Sequence, residues 1–284
     1  MRYLHPEHDA HLELSLEDVF IVPQYYDGTS RLDVDLTPVD FAGSAHPVVS
    51  ANMNAVTGKR MAETMARYGG LGVLPQDMSL GTVERIVRHI KQADVRYDTP
   101  LTVTPKATLR DVQGIIKKRA HDMVTVVDDA HRPLGIITHA NLRDQDQYTP
   151  VELVMSQPVI LKAGTTNHDA YLLMEQARVK ALPAVDDDGR LVGVITKDDA
   201  VRLEILEPSL DPQGRLMVAA AVGISSTAAG TAAELVAMGV DVLVLDTAHG
   251  HQRRMVEAIR AVRDAVPKSI PVVAGNVCTA DGTR

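Results

Sequence analysis

The only cysteine of the chain, Cys278, is the first residue to consider, because a cysteine thiolate can attack a substrate and form a covalent intermediate. It lies near the end of the 284 residues, within the stretch VVAGNVCTADGTR. A single cysteine has no partner for an internal disulfide, which agrees with a reducing compartment such as the cytoplasm. Whether Cys278 is a nucleophile depends on the elements that surround it.

Two histidines, His249 and His251, are two residues apart and are candidate metal ligands. A zinc site needs three or four protein ligands, and no nearby cysteine or acidic residue completes such a set. We therefore expect a solvated or structural pair of histidines and no bound metal.

The elements that must position such residues include an internal repeat in the middle of the chain. Residues 100–138 align without a gap with residues 158–196, at an offset of 58 residues. Each copy predicts a helix (111–119 and 169–177), a strand (124–127 and 182–185), an acidic turn and a second strand that ends in threonine. Two such units could pair across a pseudo-twofold axis and bury each other's sheets.

This repeat resembles a tandem pair of CBS domains, and the resemblance implies a nucleotide site at a threonine-x-x-acid step after the last strand of each copy. The steps here are Thr138 with Asn141 and Thr196 with Asp199. A carboxylate can accept two hydrogen bonds from a ribose diol, and the hydroxyl can reach a phosphate. The alternative is that each threonine caps the next helix. Asn141 departs from the expected aspartate, so the first step fits the pattern less well.

Both flanks of the repeat alternate strand-like and helical stretches. The strand-like runs are HPVVSANM, GGLGVL, RLMVAAAVG, VDVLVLD and IPVVAGN. Helical spacing of apolar residues follows four of them, for example Val83, Ile86, Val87 and Ile90. Aromatic residues make up 3% of the chain, so the core must be aliphatic, as in buried parallel strands. The pattern predicts a parallel α/β fold.

Composition excludes several classes of function. The net charge of -8 leaves no basic surface for nucleic acid or for an anionic membrane. No apolar run approaches the roughly 18 residues that a membrane span needs, and residues 1–14 have no apolar signal core. We expect a cytoplasmic protein with small-molecule partners.

Four segments of the flanks closely resemble IMP dehydrogenase and GMP reductase: LSLEDVFIVPQY, PVVSANMNAVTGKRMAETMARYGGLGVL, VDVLVLDTAHGH and IPVVAGNV. The resemblance implies a (β/α)8 TIM barrel, of which about five strands are visible, with a CBS pair inserted after the second barrel helix. We expect barrel at 1–94, the CBS pair at 95–206 (copies at about 95–148 and 149–206), and continued but incomplete barrel at 207–284.

Such barrels carry their chemistry at the carboxyl ends of the strands. The resemblance implies that Ser50, Met53 and Asn276 contact the purine nucleotide. It implies that Asp246, Thr247 and Ala248 bind the nicotinamide side of the dinucleotide. Each role has a structural alternative: Ser50 could bond a backbone carbonyl, Met53 could fill the core, and Asp246 could cap the next helix.

Cys278 does not match the family's nucleophile, which lies in a G-P-G-x-x-C-T-T loop after the sixth strand. It follows the fifth strand, at a position that the family usually fills with valine, so we interpret it as structural or incidental. We expect the 284 residues to belong to a longer protein, and we expect them to be inactive alone. The family's potassium site would also lie outside them.

The motif SANMN, at 50–54, and the replacement of the family's H-K-N by LPQDM distinguish the possible reactions. The pattern is most similar to actinobacterial IMP dehydrogenase-related proteins that act as GMP reductases. The resemblance implies NADPH-dependent deamination of GMP to IMP through a cysteine thioimidate, adenine or guanine nucleotides at the CBS pair, and a homotetramer. The alternatives are an NAD-dependent IMP dehydrogenase and a non-catalytic nucleotide sensor.

Overall fold

The structure, a computed structural model, describes residue 17 and residues 19–40 and 42–284. The chain divides into two compact units, Met1–Asp35 and Leu36–Arg284. In the first unit a short 3-10 helix spans Arg31–Asp33, and the Asp33 carboxylate accepts from the Ser30 amide at 3.1 Å. The beginnings of the predicted barrel segment 1–94 and of the motif LSLEDVFIVPQY lie outside the described residues.

The described residues of the second unit form eleven strands and eight α-helices. The strands are β1 Val49–Ser50, β2 Leu71–Leu74, β3 Leu101–Val103, β4 Met123–Val127, β5 Pro133–Thr138, β6 Leu161–Lys162, β7 Ala181–Val185, β8 Leu191–Thr196, β9 Ala219–Val222, β10 Val242–Asp246 and β11 Val272–Gly275. The helices are α1 Lys59–Arg67, α2 Leu80–Gln92, α3 Leu109–Gln113, α4 Asn167–Ala177, α5 Lys197–Arg202, α6 Ala228–Ala237, α7 Arg253–Ala265 and α8 Ala280–Thr283.

Five strands from the two flanks form one parallel sheet in the order β1-β2-β9-β10-β11. We call this sheet with its helices the half-barrel. Its strands are short aliphatic runs, and β2 and β9 are buried along their whole length. Burial on both faces is what produces continuous apolar strands instead of alternating ones. The predicted parallel α/β fold with five strands is confirmed.

Helices α1 and α2 cover the outer face of the half-barrel in different ways. The predicted apolar face of α2, formed by Val83, Ile86, Val87 and Ile90, is buried against the sheet. Helix α1 buries Ala62 and Ala66 together with a glutamate and an arginine. The apolar residues Met61 and Tyr68, whose spacing predicts this helix, are exposed instead, because the inserted repeat packs on the charged face of α1.

Two three-stranded sheets, β3-β4-β5 and β6-β7-β8, lie between the flanks in sequence. We call β3 to β5 the first copy, β6 to α5 the second copy, and both together the inserted repeat. The predicted strands and hairpins are confirmed. The helix predicted at 111–119 is wrong in extent, because α3 ends at Gly114 and is followed by a 3-10 turn at Ile116–Lys118.

The two copies pair as the repeat predicts, around a small cluster of Met123, Ile136, Ala181 and Val194. The first two residues become the last two when 58 is added to their numbers. Each copy also lends its leading segment to the other. Asp98 pairs with Val194 of the second copy, and Ser156 pairs with Ile136 of the first copy. The exchange makes the two copies one structural body.

Two glycines allow this exchange. A side chain at Gly193 would overlap Tyr97 and lie 2.9 Å from the Asp98 carbonyl oxygen. A side chain at Gly135, the equivalent residue of the first copy, would overlap Met155. Glycine is used where another backbone approaches this closely.

No helix among the described residues is long and apolar enough to cross a membrane.

Candidate functional site

The carboxyl ends of β1, β10 and β11 meet at one edge of the half-barrel, which we call the mouth. Asp246 is the last residue of β10 and lies in register with Gly275, the last residue of β11. The backbones beyond them remain tied, because the Thr247 amide donates to Gly275 at 3.0 Å and the Asn276 amide donates to Thr247 at 2.8 Å. The structure therefore brings together Asp246, Thr247 and Asn276, as predicted for strands that end on one face.

Across the mouth, the Asn52 side-chain amide donates to Asp246 Oδ2 at 2.8 Å. Strands β2 and β9 lie between β1 and β10 in the sheet, so this bond joins residues that follow non-adjacent strands. Asp246 is partly exposed, and the N-cap of the next helix, α7, is Gln252. The alternative that Asp246 caps this helix is therefore wrong.

Ser50 and Met53 also reach the mouth but have different surroundings. Ser50 is 8% exposed, and its hydroxyl lies 2.8 Å from that of Thr57, which is fully buried and also donates to the Ala51 carbonyl oxygen at 2.6 Å. Met53 is 59% exposed, so the alternative that it fills the core is wrong. Sequence reasoning missed Thr57, whose only signal is its position in the loop between β1 and α1.

The remaining residues near the mouth are exposed. Ala248, His249, His251, Asn276 and Cys278 all face solvent, and Cys278 lies between β11 and α8. Within the described part of the chain no group of three histidine, cysteine or acidic residues could hold a metal ion.

The largest cavity, about 830 Å³, lies between α1 and the inserted repeat. Its wall includes Arg67 from α1, Lys118 and Arg119 from the first copy, and Thr196 and Asp199 from the second. The predicted nucleotide residues of the second copy thus face a cavity rich in cationic side chains. Thr138 and Asn141 do not line it.

Thr196 and Asp199 form a complete capping box at the start of α5. Asp199 Oδ2 accepts from the Thr196 amide at 3.0 Å and from its hydroxyl at 2.7 Å, and Oδ1 lies 3.4 Å from an Arg202 nitrogen. The alternative of helix capping is therefore confirmed for Thr196. Asp199 is only 8% exposed, so a ligand would reach it from the cavity side.

Thr138 and Asn141 behave differently, since a turn and not a helix follows β5. Capping of a helix by Thr138 is therefore wrong. Asn141 accepts from the Thr138 amide at 2.9 Å, but its own amide donates to the Val154 carbonyl at 2.8 Å and to Ser156 at 2.9 Å. An aspartate cannot donate these two bonds, so the asparagine ties the turn to the leader of the second copy.

A buried charge cluster at the junction of α1 and the inserted repeat escaped sequence reasoning. Glu63 is fully buried and accepts from Arg67 at 2.6 Å and from Arg119 at 2.8 Å. Asp98 contacts the same two arginines, at 3.1 and 2.9 Å. Burial raises the pKa of Glu63, but the hydrogen bond from Arg119 and the charge of Arg67 outweigh it and lower the pKa to about 2. Glu63 is therefore ionised at neutral pH.

The chain matches the family model described as "IMP dehydrogenase / GMP reductase domain" over residues 13–284. The chain belongs to this family. The IMP dehydrogenase / GMP reductase resemblance of the motifs is thereby confirmed.

Among curated family members, a GMP reductase of Mycobacterium tuberculosis is 42% identical over 285 residues, which cover 100% of this chain and 59% of the relative. An inosine-5'-monophosphate dehydrogenase of Halalkalibacterium halodurans is 35% identical over 277 residues, which cover 95% of this chain and 57% of the relative. The chain thus spans a little under three fifths of the curated relatives it matches.

Two solved structures of GMP reductase from Trypanosoma brucei are similar to this one. A cysteine-to-alanine variant in complex with guanosine 5'-monophosphate has a TM-score of 0.60, at 32% identity, with 94% of this chain and 58% of that chain covered. A complex with guanosine 5'-triphosphate has a TM-score of 0.61, at 32% identity, with 94% and 66% covered.

Proposed function

We propose that these 284 residues belong to a GMP reductase, which replaces the 2-amino group of GMP by a hydride from NADPH and releases IMP and ammonia. The 42% identity to the mycobacterial GMP reductase over the whole chain carries this proposal. The half-barrel would be part of a (β/α)8 barrel formed by 1–94 and 207–284. Cytoplasmic location and a homo-oligomer, a tetramer by family resemblance, belong to the same proposal.

The mouth fits a dinucleotide beside a purine nucleotide. Asp246 Oδ1 accepts no hydrogen bond from the described residues, and the position next to Gly275 opens into free space. Asp246, Thr247 and Ala248 would hold the ribose next to the nicotinamide, which supplies the hydride when it is bound. Ser50, Met53 and Asn276 would contact the purine nucleotide, with Ser50 held in place by Thr57.

Cys278 would not be the nucleophile of this reaction. Its surroundings lack the G-P-G-x-x-C-T-T motif of the family, and that motif occurs nowhere in the 284 residues. The thiolate that forms the thioimidate, and the ligands of a potassium ion, would be supplied by other residues of the complete protein. We expect the 284 residues alone to show no turnover and Cys278→Ala to leave the complete enzyme active.

The test is to follow NADPH absorbance with the complete gene product and GMP, and NADH formation with IMP and NAD. GMP-dependent oxidation of NADPH supports the reductase. NADH formation supports an IMP dehydrogenase, the alternative favoured by the 35% identity to the Halalkalibacterium enzyme. No turnover in either direction would leave a non-catalytic nucleotide sensor. A Cys278→Ala variant that loses all activity would overturn the role given to this residue.

We further propose that residues 95–206 are a CBS pair, with copies at about 95–148 and 149–206, that binds an adenine or guanine nucleotide in the junction cavity. Thr196 and Asp199 would face the ribose, and Lys118 would face the phosphates. The equivalent residues Thr138 and Asn141 would form at most a second, weaker site, because all bonds of Asn141 are directed to the protein.

Calorimetric titration of ATP and GTP into the chain tests this site. We expect Asp199→Ala to weaken binding about tenfold, the loss of one charged hydrogen-bond acceptor. Asp169→Ala is the matched control, because Asp169 also bonds a capping threonine, Thr166, at 2.7 Å but does not line the cavity. If both variants bind like the wild type, Asp199 has only its capping role.

A further inference from the structure

The loop between β1 and α1 is fixed by its own hydrogen bonds. The Val56 and Thr57 amides both donate to the Met53 carbonyl at 2.9 Å, and the buried Thr57 hydroxyl donates back to Ala51. Asn52 lies within this ordered loop and is partly exposed. Its side-chain amide therefore has a defined position from which to reach across the mouth.

The bond from Asn52 occupies only one oxygen of Asp246. Oδ2 accepts from Asn52 at 2.8 Å, while Oδ1 accepts from none of the residues that the structure describes. A carboxylate that is held by one oxygen loses the freedom to rotate, so its second oxygen is presented in one direction. Because an amide is neutral, Asn52 orients the carboxylate without adding a positive charge that would compete for it.

We infer that Asn52 is a positioning residue, which holds Asp246 so that Oδ1 can accept a hydroxyl of the cofactor's nicotinamide ribose. This inference rests on the proposed reductase function and deepens it. Asn52 itself need not touch the cofactor. It acts through Asp246, and its effect should appear in the binding of the dinucleotide and not in the binding of GMP.

Steady-state kinetics of the complete gene product test the inference. We expect Asn52→Ala to raise the KM for NADPH about 5- to 20-fold, with kcat and the KM for GMP within about twofold of the wild type. Asn52→Asp, which keeps the shape but removes the donor and adds a repelling charge, should raise the KM for NADPH further. Asn167→Ala is the control, because that amide also donates to a carboxylate, of Glu204 at 2.9 Å, away from the mouth.

A double-mutant cycle separates positioning from a general structural role. If Asn52 acts through Asp246, Asn52→Ala adds nothing to the KM of Asp246→Ala. An unchanged KM in both Asn52 variants, or two effects that simply multiply, would overturn the inference. A wild-type protein without GMP-dependent NADPH oxidation would instead overturn the proposed function itself, so the two failures are distinguishable.

Discussion

The two copies of the inserted repeat have the same strands and exchange the same contacts, yet only the first copy carries the charges that dock on α1. Arg119 and Asp98 of the first copy bind the α1 cluster, whereas the equivalent residues of the second copy are Ala177 and Ser156. The apolar residues at the center of the pair are equivalent in both copies. Apolar packing thus maintains the symmetry, and a few polar residues give each copy its own partner.

The turns and helix starts follow the same division. His131 has a left-handed backbone, with φ of 63°, where the second copy has Gly189 at 78°. Asp199 begins a helix with a full capping box, where Asn141 closes a turn. The second copy therefore has the more regular local structure, and the first copy makes more side-chain bonds to its surroundings.

The largest expected effect comes from making the first copy resemble the second at the docking site. Arg119→Ala places the residue of position 177 there and removes one of the two arginines that neutralise buried Glu63. We expect a loss of about 3–5 kcal/mol in the free energy of unfolding, measured in urea. Arg190→Ala, which breaks an exposed pair with Asp188 at 3.6 Å, should cost less than about 1 kcal/mol. Equal losses in the two variants would contradict the cluster's role.

The second prediction concerns acid. The pKa of Glu63 is lowered from 4.5 to about 2 in the folded protein, so its contribution to stability is complete above pH 4.5 and is lost as the pH falls through about 2. The loss is on the order of 3 kcal/mol. We expect the wild type to lose stability more steeply than Glu63→Gln between pH 5 and pH 2. Parallel curves in this range would show that another carboxylate is responsible.

The smallest effect compares the two glycines of the exchanged segments. Gly193→Ala would push against the Asp98 backbone and should cost about 2–3 kcal/mol, whereas Gly135→Ala meets only the flexible Met155 side chain and should cost about 1 kcal/mol. Gly230→Ala is the control, because it lies within α6 with open space around it and should be neutral or stabilising. Thermal melting of the three variants gives the ranking. A Gly135 variant as unstable as the Gly193 variant would mean that Met155 is held rigidly.

Sequence patterns predicted the parts of the fold that depend on local periodicity. The five aliphatic runs and the apolar face of α2 are regular enough to identify strands and a helix without knowledge of their neighbours. The alignment of the two copies also predicted their pairing, because equivalent apolar positions are expected to meet at a pseudo-twofold axis.

Long-range polar contacts were beyond such patterns. Glu63 and Arg67 are four residues apart on α1, which is the ordinary spacing of an exposed ion pair. Their burial depends on Arg119, 56 residues away from Glu63. The bond between Asn52 and Asp246 spans 194 residues. Neither partner carries a local signal of the other, so only the folded structure identifies these pairs.

The exchange of leading segments has a consequence for synthesis on the ribosome. Asp98 precedes the first copy, but the strand residue that it pairs with, Val194, is made almost a hundred residues later. The first copy cannot be completed when its own residues have left the exit tunnel, and its unpaired leader must wait for the second copy. We therefore expect the inserted repeat to become resistant to protease in a single late step of translation, and not one copy at a time.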